Sequence, residues 1–243
     1  MKEILRRVLL ACLLVGGTLA LIGNHVANHY LRQPYTAPAE PTFQVHRAYL
    51  PEQAIPQADD LQRTYGHNKC IPEAFKWQIL IALAHYPELR DATIEFIVKP
   101  ALIPAASRPA PVSLVRTKER WVYRVILSSE SSLEGTEKAL LKNLSFNAQV
   151  GVIGHELAHT AFYQNKSRWE MMGIALAYPF PKFRARFEKD TDRRTVDHGL
   201  GWQLYAWASE VRQGPYPDLL DTYYLRPDSI LTHMRSSHLY QFK

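Results

Sequence analysis

Cysteine is scarce: the chain holds only Cys12 and Cys70, so no disulfide framework can brace it. Glycine is also sparse, eleven residues against sixteen prolines, which points to stiff loops. There is no Gly-X-Y period, no heptad run and no repeat of solenoid length, which excludes collagen, coiled coil and repeat arrays. Charge of one sign is nowhere concentrated. The net charge is +6, of which Lys2, Arg6 and Arg7 against Glu3 place +2 in the first seven residues and leave +4 for the rest. Without a Lys/Arg stripe and interleaved aromatics, nucleic acid is not an expected partner. The densest basic stretch, Lys182 to Arg194, also carries Glu188, Asp190 and Asp192 and reads as a mixed-sign helix surface. What is present is 243 residues with 47% hydrophobic and 21% charged side chains, enough for one packed catalytic-size domain plus an accessory segment.

Val8 to Ile22 carries no charge and follows Lys2, Arg6 and Arg7, the pattern of an export signal or membrane anchor. Leu9-Leu10-Ala11-Cys12 has lipobox-like composition but comes too early for acylation, and Thr18-Leu19-Ala20 is a passable cleavage site. An uncleaved anchor over residues 1–28 is the favoured reading. It predicts a bacterial inner-membrane protein, single-pass with its body on the periplasmic side, or an exported one if the segment is cleaved. Cys70 would then be a lone buried thiol. Residues 29–60, with Pro34, Pro38, Pro41, Pro51 and Pro56, read as a Pro-rich stalk, and residues 61–243 as the functional domain.

Within that domain a helix is expected from Pro72 to His85, and strands at Thr93–Lys99 and Trp121–Ser128. Pro100, Pro104, Pro109 and Pro111 make a loop between them. A short helix is expected at Lys138–Leu144, and longer ones at Asn147–Tyr163, Phe183–His198 (ended by Gly199 or Gly201), Trp202–Arg212 and Pro227–Leu239. Strands followed by a helix-rich half give an α+β layout: a small mixed sheet with a helical C-terminal half.

The chemistry lies in His155-Glu156-Leu157-Ala158-His159, an H-E-x-x-H pattern inside the strongest helix. Residues four apart share a helical face, so both imidazoles can reach one ion, and Zn²⁺ suits that donor set. Glu156 is placed to take a proton from metal-bound water. The bland alternative is an exposed helix with two solvated histidines. Val152, Ile153 and Gly154 before the motif and Leu157 and Ala158 within it argue that the helix is buried instead.

A catalytic site needs a third protein ligand. Phe162 and Asn165 stand where the metzincin pattern requires Gly and His, which excludes that class. Glu188 and Asp192 form E-x-x-x-D on the next helix, with Glu188 29 residues after His159. Glu188, Asp192, Thr195 and Gly199 share one face, and Ala148 and Gly151 are small on the metal-facing side of the first helix, so the two helices could approach closely. The reading is Glu188 as metal ligand and Asp192 as acceptor for the N–H of a ligating imidazole. Asp192 itself, Glu170 and Asp197 are rival ligands, and solvated charges are the alternative for Glu188 and Asp192.

These two segments resemble the gluzincin metallopeptidases, a zincin group that includes the thermolysin-like enzymes and membrane-associated peptidases related to the prenyl-protein protease. The stretch Glu188–Leu204 also resembles a segment of exported bacterial proteins with a similar motif. The likeness covers about Asn147 to Leu204. It implies zinc held by His155, His159 and Glu188, Glu156 as general base, Asp192 orienting a histidine, and a peptide or protein substrate. The chain departs from that pattern in lacking a match for the Tyr or His that stabilises the oxyanion; His198, Tyr205, Tyr223, Tyr224 and His233 are candidates, while the aromatic series Trp202, Tyr205 and Trp207 reads as packing. The resemblance further implies that an edge strand beside the metal helix pairs with extended substrate, a role open to Trp121–Ser128. Two other readings stand beside the peptidase: a membrane-tethered binding or assembly factor with a structural zinc site, and a zinc hydrolase of a non-peptide, cell-wall amide.

Overall fold

The computed structural model describes residues 2–37, 44–51, 58–131 and 134–240. Pro38, Pro41 and Pro56 of the expected stalk lie outside these residues. The fold is mixed α+β: a four-stranded sheet lies against a larger helical body.

Helix α1 spans Lys2–Arg32 without a break. Among the described residues no helix is long and apolar enough to cross a membrane. The second half of α1 is part of the body. Ala27 is buried, and Tyr30 packs edge-on against Phe183 and Phe187 while its hydroxyl donates to Asp190 at 3.1 Å. The region expected to be a stalk also lies against the body where it is described. The Tyr35 hydroxyl donates to Asp197, the Tyr49 N–H donates to Asn147 Oδ1 at 2.8 Å, and Gln203 Nε2 donates to the His46 carbonyl at 3.1 Å. Its described residues thus find partners that a free spacer would lack.

Helix α2 (Ala58–Tyr65) and helix α3 (Lys76–Ala84) flank strand β1 (Lys69–Cys70). The helix expected from Pro72 opens with a 3₁₀ turn, Glu73–Phe75, before α3. Cys70 is exposed rather than buried, because β1 is a two-residue edge strand. Strand β2 is Thr93–Lys99, β3 is Ala105–Pro109 and β4 is Val122–Ser128. The sheet order is β1-β2-β4-β3. Strands β1, β2 and β4 are parallel, with Thr93 opposite Val122 and Lys99 opposite Ser128; β3 runs antiparallel, with Ala105 opposite Leu127 and Pro109 opposite Tyr123. The proline-rich loop therefore contains a strand. A strand bonded from one side only tolerates proline, which lacks an N–H to donate. Strand β4 is interior, between β2 and β3, so it has no free edge to pair with an extended peptide; the edges are β1 and β3.

Helix α4 (Phe146–Gln164) is the centre of the fold. Ser145 caps it by accepting the Ala148 N–H, and fifteen of its nineteen residues are buried, so it is enclosed rather than amphipathic. Val150, Ile153 and Leu157 are fully buried, each contributing roughly 1.5–3 kcal/mol of apolar transfer. Helix α5 (Arg168–Ala177) follows, started by a capping box between Ser167 and Glu170. Helix α6 (Pro181–Thr195) continues into a wider π-type turn, Val196–Leu200, where Gly199 has φ +85°, a left-handed conformation that glycine adopts without steric cost. Gly201 does not stop a helix but begins α7 (Gly201–Val211). Helices α8 (Pro217–Tyr223) and α9 (Pro227–Ser236) close the chain's described part. The short helix expected at Lys138–Leu144 is instead two 3₁₀ turns, Glu137–Ala139 and Leu141–Asn143.

The small-residue contacts differ from expectation. A methyl group on Gly151 would overlap the backbone O and C of Gln203, so its close approach is to α7, not to α6. Gly154, not Gly151, faces the α6 side, towards Thr195 and Leu200.

Candidate metal centre

His155, Glu156 and His159 are all buried on α4, the two histidines on one face, and Glu188 and Asp192 lie one turn apart on α6. The structure brings one donor atom from each of His155, His159 and Glu188 within 4.8 Å of the others. Glu188 Oε2 lies 3.2 Å from Nε2 of both imidazoles. All three side chains are buried, at 3–5% exposure. The opposite ring nitrogens are occupied. His155 Nδ1 lies 2.8 Å from Asp192 Oδ1, and His159 Nδ1 lies 3.3 Å from Thr191 Oγ1. Each ring thus turns Nε2 inward, the orientation in which a partner behind the imidazole fixes the ligating nitrogen. Asp192 is completely buried, and its second oxygen accepts the Leu225 N–H at 2.7 Å.

The electrostatics are those of a site that needs a positive charge. Burial alone would depress the His155 pKa, but hydrogen bonds to Asp192 and Glu188, with their charges, raise it to about 10. Burial pushes Glu188 up, yet the neighbouring His159 and His155 rings hold it well below the usual carboxylate range. A proton on the imidazole therefore supplies the charge that a cation would bring. Glu156 is raised, first by burial and against the pull of both histidines. A Ser107 backbone N–H from β3 bonds its carboxylate, while Oε2 is buried with no partner. An orphaned carboxylate oxygen beside two imidazoles and a second carboxylate fits a divalent ion with an ordered water or substrate group.

Aromatic rings wall the centre. Tyr224 packs edge-on to His155 at 5.7 Å between centroids and Trp207 lies tilted at 5.9 Å, so the aromatic series on α7 reaches the site as well as packing the helix. Tyr163 stacks on His159. Tyr178, just past α5, donates its hydroxyl to Glu188 Oε1 at 2.8 Å and is 37% exposed. Sequence reasoning missed Tyr178; it precedes Glu188 by ten residues and belongs to no motif.

The other candidates lie elsewhere. His198 is buried between the Arg194 carbonyl and Glu88 and stacks on Tyr86. His233 pairs with Asp197, which also accepts from Tyr35. Tyr223 lies under the Arg184 guanidinium, and Tyr205 packs against Trp202. Glu170 is spent on the α5 capping box and Asp197 on His233 and Tyr35, and neither joins the cluster. Asp190, expected on a solvated face, is buried against Arg186, Arg193 and Tyr30. No family model matches the chain, and neither a curated protein nor a solved structure matches it.

Proposed function

We propose that this chain is a zinc-dependent metallopeptidase of zincin-like α+β architecture, with His155, His159 and Glu188 as metal ligands. The observation that carries this reading is the convergence of those three buried donors beside the unpartnered Oε2 of Glu156. A bound Zn²⁺ would supply Lewis-acid polarisation of the scissile carbonyl and of water. Glu156 takes a proton from the attacking water as its oxygen bonds to the carbonyl carbon, then passes that proton to the nitrogen as the C–N bond breaks. The Ser107 N–H fixes one side of the Glu156 carboxylate and leaves Oε2 for the proton. Asp192 and Thr191 hold the two imidazoles in register. Strand β3 has one edge bonded to β4 and carries Ser107 at its centre, so an extended peptide adding to its other edge passes the general base. The Tyr178 hydroxyl is the donor suited to the developing oxyanion, since it already reaches a ligand oxygen from the exposed side.

Burial of all four residues, none above 6% exposed, favours a second reading, an inert zinc site in a binding or assembly factor. Glu156→Gln separates the two. In the peptidase the variant retains zinc and loses hydrolysis of a mixed peptide pool by at least about 100-fold, a typical general-base contribution. Undiminished hydrolysis in Glu156→Gln refutes the mechanism, and a wild-type chain that binds zinc tightly but cleaves nothing supports the structural site.

A further inference from the structure

We propose that the apolar N-terminal half of α1 embeds in an anionic bilayer and holds the metal centre against that surface, so that the substrates are polypeptide segments tethered to or emerging from the membrane. The substrate clause rests on the peptidase reading above; the placement does not.

Leu13, Leu14 and Val15 are 65%, 64% and 60% exposed, and Leu19, Leu21 and Ile22 are exposed too. Successive helical residues point 100° apart, so these six cover most of the helix circumference rather than one stripe. A partner helix would need a single apolar seam, and an interfacial helix a single apolar face. An all-round apolar surface matches hydrocarbon on every side. The uncharged run Val8–Ile22 is about 22 Å long, short of the roughly 30 Å hydrocarbon core. Lys2, Arg6 and Arg7 precede that run in the sequence, and their positive charge complements anionic headgroups.

The junction with the body sets the orientation. Val26 packs on Gly173, and a methyl on Gly23 would overlap the Leu176 carbonyl and approach Phe180, so α1 runs antiparallel to α5. Proceeding towards its N-terminus, α1 leaves the body at the C-terminal end of α5. The surface there is Tyr178, Pro179, Phe180, Pro181 and Lys182, aromatic and basic chemistry suited to headgroup depth. Tyr178 is the same side chain that touches Glu188. Where α1 enters the bilayer is therefore where the metal centre reaches the surface.

The test uses the full chain with vesicles of phosphatidylcholine and phosphatidylglycerol. Wild type floats with the vesicles, and Leu14→Asp with Leu21→Asp, both at exposed positions, lowers partition by at least about 100-fold without shifting thermal unfolding. In a Cys12→Ser, Cys70→Ser background, a fluorophore at Pro179→Cys is quenched by headgroup-nitroxide lipid. One at Trp169→Cys, about 15 Å along α5, is not. A palmitoylated fluorogenic peptide pool on vesicles is cleaved faster than the same pool left free. Failure of wild type to float, or a crosslinked dimer through Gly16-Gly17 in its place, overturns the embedding. Equal quenching at 169 and 179 overturns the orientation, and equal cleavage of tethered and free pools overturns the substrate class. Flotation and selective quenching with neither pool cleaved support the placement and refute the peptidase.

Discussion

Removing the Asp192 carboxylate tests how the centre is held. Asp192 has no exposed surface, and its two oxygens accept from His155 Nδ1 at 2.8 Å and from the Leu225 N–H at 2.7 Å. Asp192→Ala strands both donors where water cannot reach them. At about 1–3 kcal/mol for each unsatisfied buried donor, the loss is about 2–6 kcal/mol of folding stability. The same change frees the His155 ring to rotate and removes the bond that anchors the segment carrying Tyr224, so zinc affinity falls by about 10- to 100-fold. Asp192→Asn keeps the shape and one acceptor, but its amide must face one of the two donors, and it falls between wild type and alanine. Urea unfolding with chelator present measures the first effect; competition with a chromogenic zinc chelator measures the second. An alanine variant within about 0.5 kcal/mol of wild type, the range of an ordinary surface change, and unaltered in zinc affinity refutes the reasoning.

Three further outcomes follow from the same geometry. Gly151→Ala meets the fixed backbone of Gln203, whereas Gly154→Ala meets the Leu200 side chain end at 2.5 Å, which can move. The first is therefore expected to cost at least about 2 kcal/mol in thermal or urea unfolding and the second clearly less; the reverse order contradicts the α4–α7 packing. His85 is fully buried, donating from Nδ1 to the His198 carbonyl and accepting from the Tyr49 hydroxyl at Nε2, and burial lowers its pKa to about 3. An unfolded histidine protonates near pH 6.5, so between about pH 6.5 and 3 the unfolded chain binds the extra proton and stability falls as pH falls, by about 2 kcal/mol from pH 7 to pH 5. Urea midpoints for wild type and His85→Gln at the two pH values check this: the variant loses that part of the slope, and an unchanged slope rules His85 out as its source. Glu156→Gln, expected to keep zinc and lose hydrolysis, is read by zinc content and peptide cleavage.

Much of this arrangement is legible in the residues. Thr93–Lys99 alternates with period two, and its buried residues Ile94 and Phe96 lie two apart, as a half-covered strand requires. Helix α4 shows itself through Val150, Ile153, Leu157 and Ala161, and the acid pair at 188 and 192 stands one helical turn apart wherever that helix goes. Other features depend on partners remote in sequence. Strand β3 is concealed by Pro104 and Pro109, because its bonds come from β4 alone. The approach at Gly151 could not be assigned to α7 rather than α6 without the chain path. Helix α5 was announced by Ser167-x-x-Glu170, a capping-box signal that the periodicity reading passed over. Tyr178 has no local signature; its contact with Glu188 comes from the turn between α5 and α6, which sets its hydroxyl 2.8 Å from that carboxylate.

The most direct test of the ligand set is equilibrium dialysis of the chelator-stripped chain against zinc, comparing wild type with Glu188→Ala and Glu170→Ala. Glu188 sits between the two imidazoles, while Glu170 is engaged at an exposed capping box. The account predicts a single tightly held zinc in wild type and in Glu170→Ala, and its loss in Glu188→Ala. Full zinc retention in Glu188→Ala, or loss in Glu170→Ala, contradicts it.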